Sequence, residues 1–114
     1  MKDNQTKKEL AAKYKDREII GGVYVIRNTQ NNKLLFGAVT DLHGIKNRFE
    51  FSLITDSCVD PRLQSDWNKG SGQFVFEALE ELRKGETQTM EEFKADILAL
   101  KDIWLDELAG RDFY

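Results

Sequence analysis

The sequence predicts an α/β (α+β) domain: a three-stranded, mainly antiparallel sheet flanked by helices on both faces, with an extra helix ahead of it. Three observations carry this. Two apolar runs, Val23-Tyr24-Val25-Ile26 and Leu34-Leu35-Phe36, are separated by Asn28-Thr29-Gln30-Asn31-Asn32-Lys33, which is turn material because asparagine tolerates left-handed backbone angles. Both runs are apolar at consecutive rather than alternate positions, the pattern of a sheet covered on two faces. Near the other end, Met90, Phe93, Ile97, Leu100, Trp104 and Leu108 recur every three or four residues, which is the stripe of a long amphipathic helix.

The elements follow in order. Residues 5–16 are good helix formers, with Thr6 at the cap, Glu9 completing a capping box, and Leu10, Ala11 and Tyr14 on one face. Residues 1–20 therefore read as a helical extension, and residues 21–114 as a single globular unit. Gly21-Gly22 separates the two, and the hairpin follows. Asp41 caps a helix running to about Thr55, with Ile45, Phe49 and Leu53 on one face and Gly44 able to delay its start. Asp60 and Pro61 open another helix, whose inner face carries Leu63 and Trp67 and which Lys69-Gly70-Ser71-Gly72 ends. Phe74-Val75-Phe76 reads as the third strand, and the acidic run Glu77 to Glu81 as a solvated edge. Thr89 caps the long helix with Glu92 in capping-box position, and Gly110 closes it.

Length and composition bound the rest. The chain has 114 residues, 40% hydrophobic and 32% charged, which is one domain of ordinary globular make-up. Its one cysteine, Cys58, cannot form an internal disulfide. No apolar stretch approaches the roughly 20 residues that span a bilayer, and Met1-Lys2-Asp3-Asn4-Gln5 lacks the apolar segment of a secretory signal. The expectation is a cytoplasmic chain with no membrane partner. The net charge of −3 argues weakly against a general polyanion binder, but the charge is unevenly placed. Residues 1–76 carry 12 Lys and Arg against 9 Asp and Glu, whereas residues 77–107 carry 4 against 10.

The hairpin also holds the most informative motif. Gly22-Val23-Tyr24 is followed, ten residues on, by Leu35-Phe36-Gly37. This resembles the GIY-YIG nuclease family, which opens with a Gly-Ile-Tyr strand, a hairpin of about this length and a Tyr-Ile-Gly strand. The likeness continues through Thr40-Asp41-Leu42, Lys46-Asn47-Arg48-Phe49, Leu63-Gln64 to Asn68-Lys69, Phe74-Val75-Phe76-Glu77-Ala78-Leu79-Glu80 and Ile103-Trp104-Leu105, and so spans roughly residues 21–108. Each motif alone is common; their shared order and spacing carry the resemblance.

The resemblance implies DNA phosphodiester cleavage with one divalent metal, Mg²⁺ or Mn²⁺. Such a reaction passes through a phosphorane with added negative charge, which fixed cations stabilise. Tyr24 matches the family's first tyrosine, which acts at the attacking water. Arg48 matches the phosphate-neutralising arginine, with Lys46 as a second cation, and Gly22, Gly37 and Lys46 are expected at the substrate. The second family tyrosine falls at Leu35, which has no hydroxyl. The metal-binding glutamate falls at Lys101; Asp102 is the substitute ligand one residue on, about 100° around the helix, and Glu77 is a further carboxylate. Two expectations stand side by side: a metal-dependent DNA nuclease with a rearranged metal site, or a non-catalytic domain that keeps the fold and binds nucleic acid or a protein partner. Lys101, Leu35 and the net acidity favour the second. His43 reads as surface or capping, Cys58 as packing, and Gly70-Ser71-Gly72 is too short for a phosphate loop.

Overall fold

The Asn-rich turn closes a hairpin as its composition requires. Asn28 N–H donates to the Lys33 carbonyl at 3.0 Å and Asn32 N–H to the Asn28 carbonyl at 2.8 Å, with Asn32 in the left-handed region at φ 61°. The computed structural model describes residues 18–114, so the leading helix expected over residues 5–16 lies outside the described residues. From the hairpin onward the order is β1 (Ile20–Asn28), β2 (Leu34–Val39), α1 (Leu42–Thr55), a 3₁₀ turn (Pro61–Leu63) running into the short α2 (Gln64–Trp67), a second 3₁₀ turn (Ser71–Gln73), β3 (Phe74–Arg83) and α3 (Met90–Glu107).

β1 is the central strand. It pairs antiparallel with β2 on one edge, with Tyr24 opposite Gly37 and Ile26 opposite Leu35, and antiparallel with β3 on the other. The third strand is longer than its apolar core predicts and runs on through the acidic residues to Arg83. Among the described residues no strand pairs with the outer edge of β3, whose charged side chains discourage pairing with another chain. Between Val23, which faces Glu80, and Tyr24, which faces Ala78, the register shifts and leaves Leu79 as the extra residue of a bulge.

Consecutive apolar residues in β1 and β2 serve two faces. On one, Tyr24, Ile26, Leu35 and Phe74 pack with Leu42 and Phe49 of α1 and with Leu63 and Trp67 of the α2 region. On the other, Val25 and Leu34 pack with Leu108, flanked by Phe36, Leu79 and Trp104. Phe93, Ile97 and Leu100 are buried along the same stripe of α3. Helices thus cover both faces of a wholly antiparallel sheet.

Capping sets the helix starts. Asp41 accepts from Gly44 N–H at 3.0 Å, so α1 begins at Leu42 and Gly44 lies inside its first turn without delaying it. Thr89 and Glu92 form the reciprocal capping box of α3, at 3.1 and 3.0 Å. A partly buried polar knot ties the hairpin to the far end of the chain: Asn28 Nδ2 donates to Tyr114 Oη at 2.9 Å, and Tyr114 Oη donates to Asp66 at 2.6 Å. Among the described residues no helix is long and apolar enough to cross a membrane.

Candidate functional site

Tyr24 sits mid-strand on the α1 face of β1, 8% exposed, its ring stacked on Phe76 with centroids 5.2 Å apart. Its hydroxyl end lies over Gly37: a Cβ there would come within 2.6 Å of the ring carbon Cζ and of Oη. Glycine at this register position is what leaves room for the phenol across β2. Gly22 serves closeness of another kind, because a Cβ would overlap the Glu80 carbonyl oxygen where β3 bulges toward β1.

Three charges act on the Tyr24 hydroxyl. Burial pushes its pKa up, and Asp60 adds to that, while Arg62 and Arg48 oppose it. The phenol therefore stays a neutral donor, and no side chain among the described residues hydrogen-bonds it. Arg48 comes from the exposed side of α1 and pairs with no carboxylate among the described residues. Arg62 and Asp60 come from the 3₁₀ turn. Asp60 caps that turn through Arg62 N–H at 2.9 Å and grips the Arg62 guanidinium at 3.0 and 2.8 Å. That grip, chiefly through the side-chain hydrogen bonds, holds the Asp60 carboxyl below its usual range. Sequence reasoning missed this pair. The signal lay in Asp60-Pro61-Arg62, where a cap and an adjacent arginine are locked together.

The other sequence-derived candidates separate. Lys46 lines a second cleft of about 420 Å³ with Asp41, His43, Phe76, Ala78 and Glu81, and does not act on the Tyr24 hydroxyl. Leu35 is buried in the α1-side core. Lys101 is half-buried on α3, and Asp102 is exposed on that helix, which covers the opposite face of the sheet from Tyr24. Glu77 is bound to Arg27 at 2.9 Å, and Glu80 accepts from Trp104 Nε1 at 2.9 Å.

These positions test whether a divalent ion fits beside Tyr24. A Mg²⁺-type ion needs oxygen ligands, at least one of them a carboxylate that is free to bind. Asp60 has both oxygens on Arg62, Glu77 is paired with Arg27, and Glu80, although one of its oxygens is free, is turned to Trp104 on the far face, where Asp102 of α3 also lies. Among the described residues no group of three or more His, Cys, Asp or Glu converges. The donor set around Tyr24 does not fit such an ion.

No family model and no curated protein matches the sequence. Solved structures do. A mutant of the catalytic domain of the intron endonuclease I-TevI is 28% identical, with a TM-score of 0.56, over 79% of this chain and 84% of that one. A second structure of the catalytic domain of the homing endonuclease I-TevI gives the same identity and TM-score over 77% and 87%. The fold is that of a GIY-YIG endonuclease domain. The relationship is distant. On the hairpin of this fold Tyr24 lies opposite Gly37 and Gly22 opposite Val39, and Arg48, Arg62 and the Arg62-paired Asp60 lie near enough to act on the charge of the tyrosine.

Proposed function

We propose that this GIY-YIG domain binds the phosphate backbone of DNA at the surface formed by Tyr24, Arg48 and Arg62, and that it does so without a divalent metal ion. The observation that carries the reading is that Arg48 and Arg62 both lie near enough to the Tyr24 phenol to oppose the rise in its pKa, while the neighbouring acid, Asp60, is already paired. A phosphate oxygen accepts from the Tyr24 hydroxyl, and planar guanidinium forks match phosphate geometry. Asp60 turns the Arg62 fork and offsets part of its charge, so Arg48 supplies the larger share of free positive charge.

The test is binding of labelled duplex and branched DNA in Mg²⁺, in Mn²⁺ and in EDTA, with supercoiled plasmid in parallel to report cleavage. The expected result is equal affinity in all three conditions, no nicking, and affinity that falls as salt rises. Arg48→Ala should reduce the slope of log affinity against log salt by about 1. Metal-dependent nicking that Tyr24→Phe and Arg48→Ala both abolish would make the chain a nuclease and overturn the metal-free reading. Absence of DNA binding at low salt would leave the fold to protein contact.

A further inference from the structure

Beside the tyrosine surface, the ends of β2, α1 and α3 enclose a groove of about 680 Å³. Val39, Ile45, Ile97 and Leu98 give it apolar walls, and Arg48 from α1 and Lys94 from α3 supply two cations against one carboxylate, Asp41, which is engaged in capping α1. Its size and its few polar groups suit an organic ligand. Its cations select an anion. Arg48 is also one of the charges acting on Tyr24, so the groove and the tyrosine surface share a residue. A backbone phosphate held at Arg48 leaves its own nucleoside at the mouth of the groove.

We infer that the groove takes one unpaired nucleotide of the bound strand, with the base against Ile45, Ile97 and Leu98 and the flanking phosphates between Arg48 and Lys94. A base inside a duplex is paired and stacked and offers neither face to a protein wall, so only a single-stranded or extruded nucleotide can enter. The groove thus directs the domain toward flaps, gaps or single strands. This rests on the phosphate-binding reading above and adds to it the kind of strand bound. Lys94 is exposed and Leu98 is 59% exposed, so both can be changed without opening the core.

The experiment is fluorescence anisotropy at fixed low salt with an oligothymidine, a plain duplex and a duplex bearing a single-stranded flap. The full chain, Lys94→Glu, Leu98→Asp and Arg62→Ala are compared. The full chain should bind oligothymidine and flap about tenfold more tightly than the duplex, the scale of one base contact. Lys94→Glu and Leu98→Asp should each remove most of that preference and leave duplex binding within about twofold. Arg62→Ala should weaken all three ligands alike. Equal affinity of the full chain for all three, or groove variants that weaken duplex and single strand together, would overturn the inference while leaving phosphate binding intact. Loss of all DNA binding would remove both. Thymidine monophosphate that competes through Lys94 and Leu98, with no flap preference in the strand, would make the ligand a free nucleotide and likewise overturn it.

Discussion

At the scale of single residues, the site depends on a tyrosine seated over a glycine. Gly37→Ala would press a methyl group into the Tyr24 ring, which is held from the other side by Phe76. The expected cost is about 1–3 kcal/mol, read by chemical denaturation, with weaker DNA binding because the phenol must move. The raised Tyr24 pKa has a defined consequence in pH. Stability is fully present below the ordinary tyrosine value and is lost as pH climbs through the higher folded value. Tyr24→Phe, which has no proton to lose, should therefore resist alkaline unfolding above about pH 10 better than the native chain, as followed by tryptophan fluorescence. Asp60 behaves oppositely. Its lowered pKa gives stability that is present above the usual carboxylate value and lost as pH falls through the folded one, so its acid loss lies below about pH 4. Arg62→Ala frees the Asp60 charge to face a bound phosphate. The double change Asp60→Asn with Arg62→Ala should recover part of the lost DNA affinity, and a double-mutant cycle measures how much.

Elements were legible where a local rule acts alone. The Thr89–Glu92 capping box and the Asp41 cap are set by residues within one turn and the α3 stripe by its three-to-four-residue period; the structure contains both caps and buries Phe93, Ile97, Leu100 and Leu108, with Met90 left exposed. Thr89→Ala should cost about 1 kcal/mol in thermal or urea unfolding. The length of β3 was not legible, because Glu77, Glu80 and Glu81 have no strand propensity and are held in the ladder by β1 rather than by their own preference. The proposed site was legible in the same uneven way. Tyr24 and Arg48 stand inside recognisable motifs. Arg62 is brought to Tyr24 only by the path of the chain after α1, through the left-handed Asp56 at φ 56° that ends that helix and the capped 3₁₀ turn beyond it. Asp102 failed to meet Tyr24 for a related reason, since sequence adjacency to Lys101 does not reveal which face of the sheet α3 covers.

For the whole molecule, the acidic part of the uneven charge has a place in the described structure, whereas residues 18–76 balance at 6 Lys and Arg against 6 Asp and Glu. β3 and α3 carry most of the acidic excess of residues 77–107, while Arg48 and Arg62 lie on the elements across the sheet. DNA should therefore approach from the α1 side. A charge reversal on the outer surface of α3, such as Asp102→Lys, should raise the association rate modestly at low salt without changing the dissociation rate, as measured by stopped flow. The strand order has a consequence in time as well. β1 meets β2 across a short turn, but the partner for its other edge is complete only at Arg83. At about 5–20 residues per second of synthesis, an apolar strand waits with one side unmatched for several seconds while α1 and the loops beyond it are made. The nascent chain therefore passes through an interval in which its most buried strand is also its stickiest, and a chaperone that grips extended apolar segments would find its target there rather than in the finished fold.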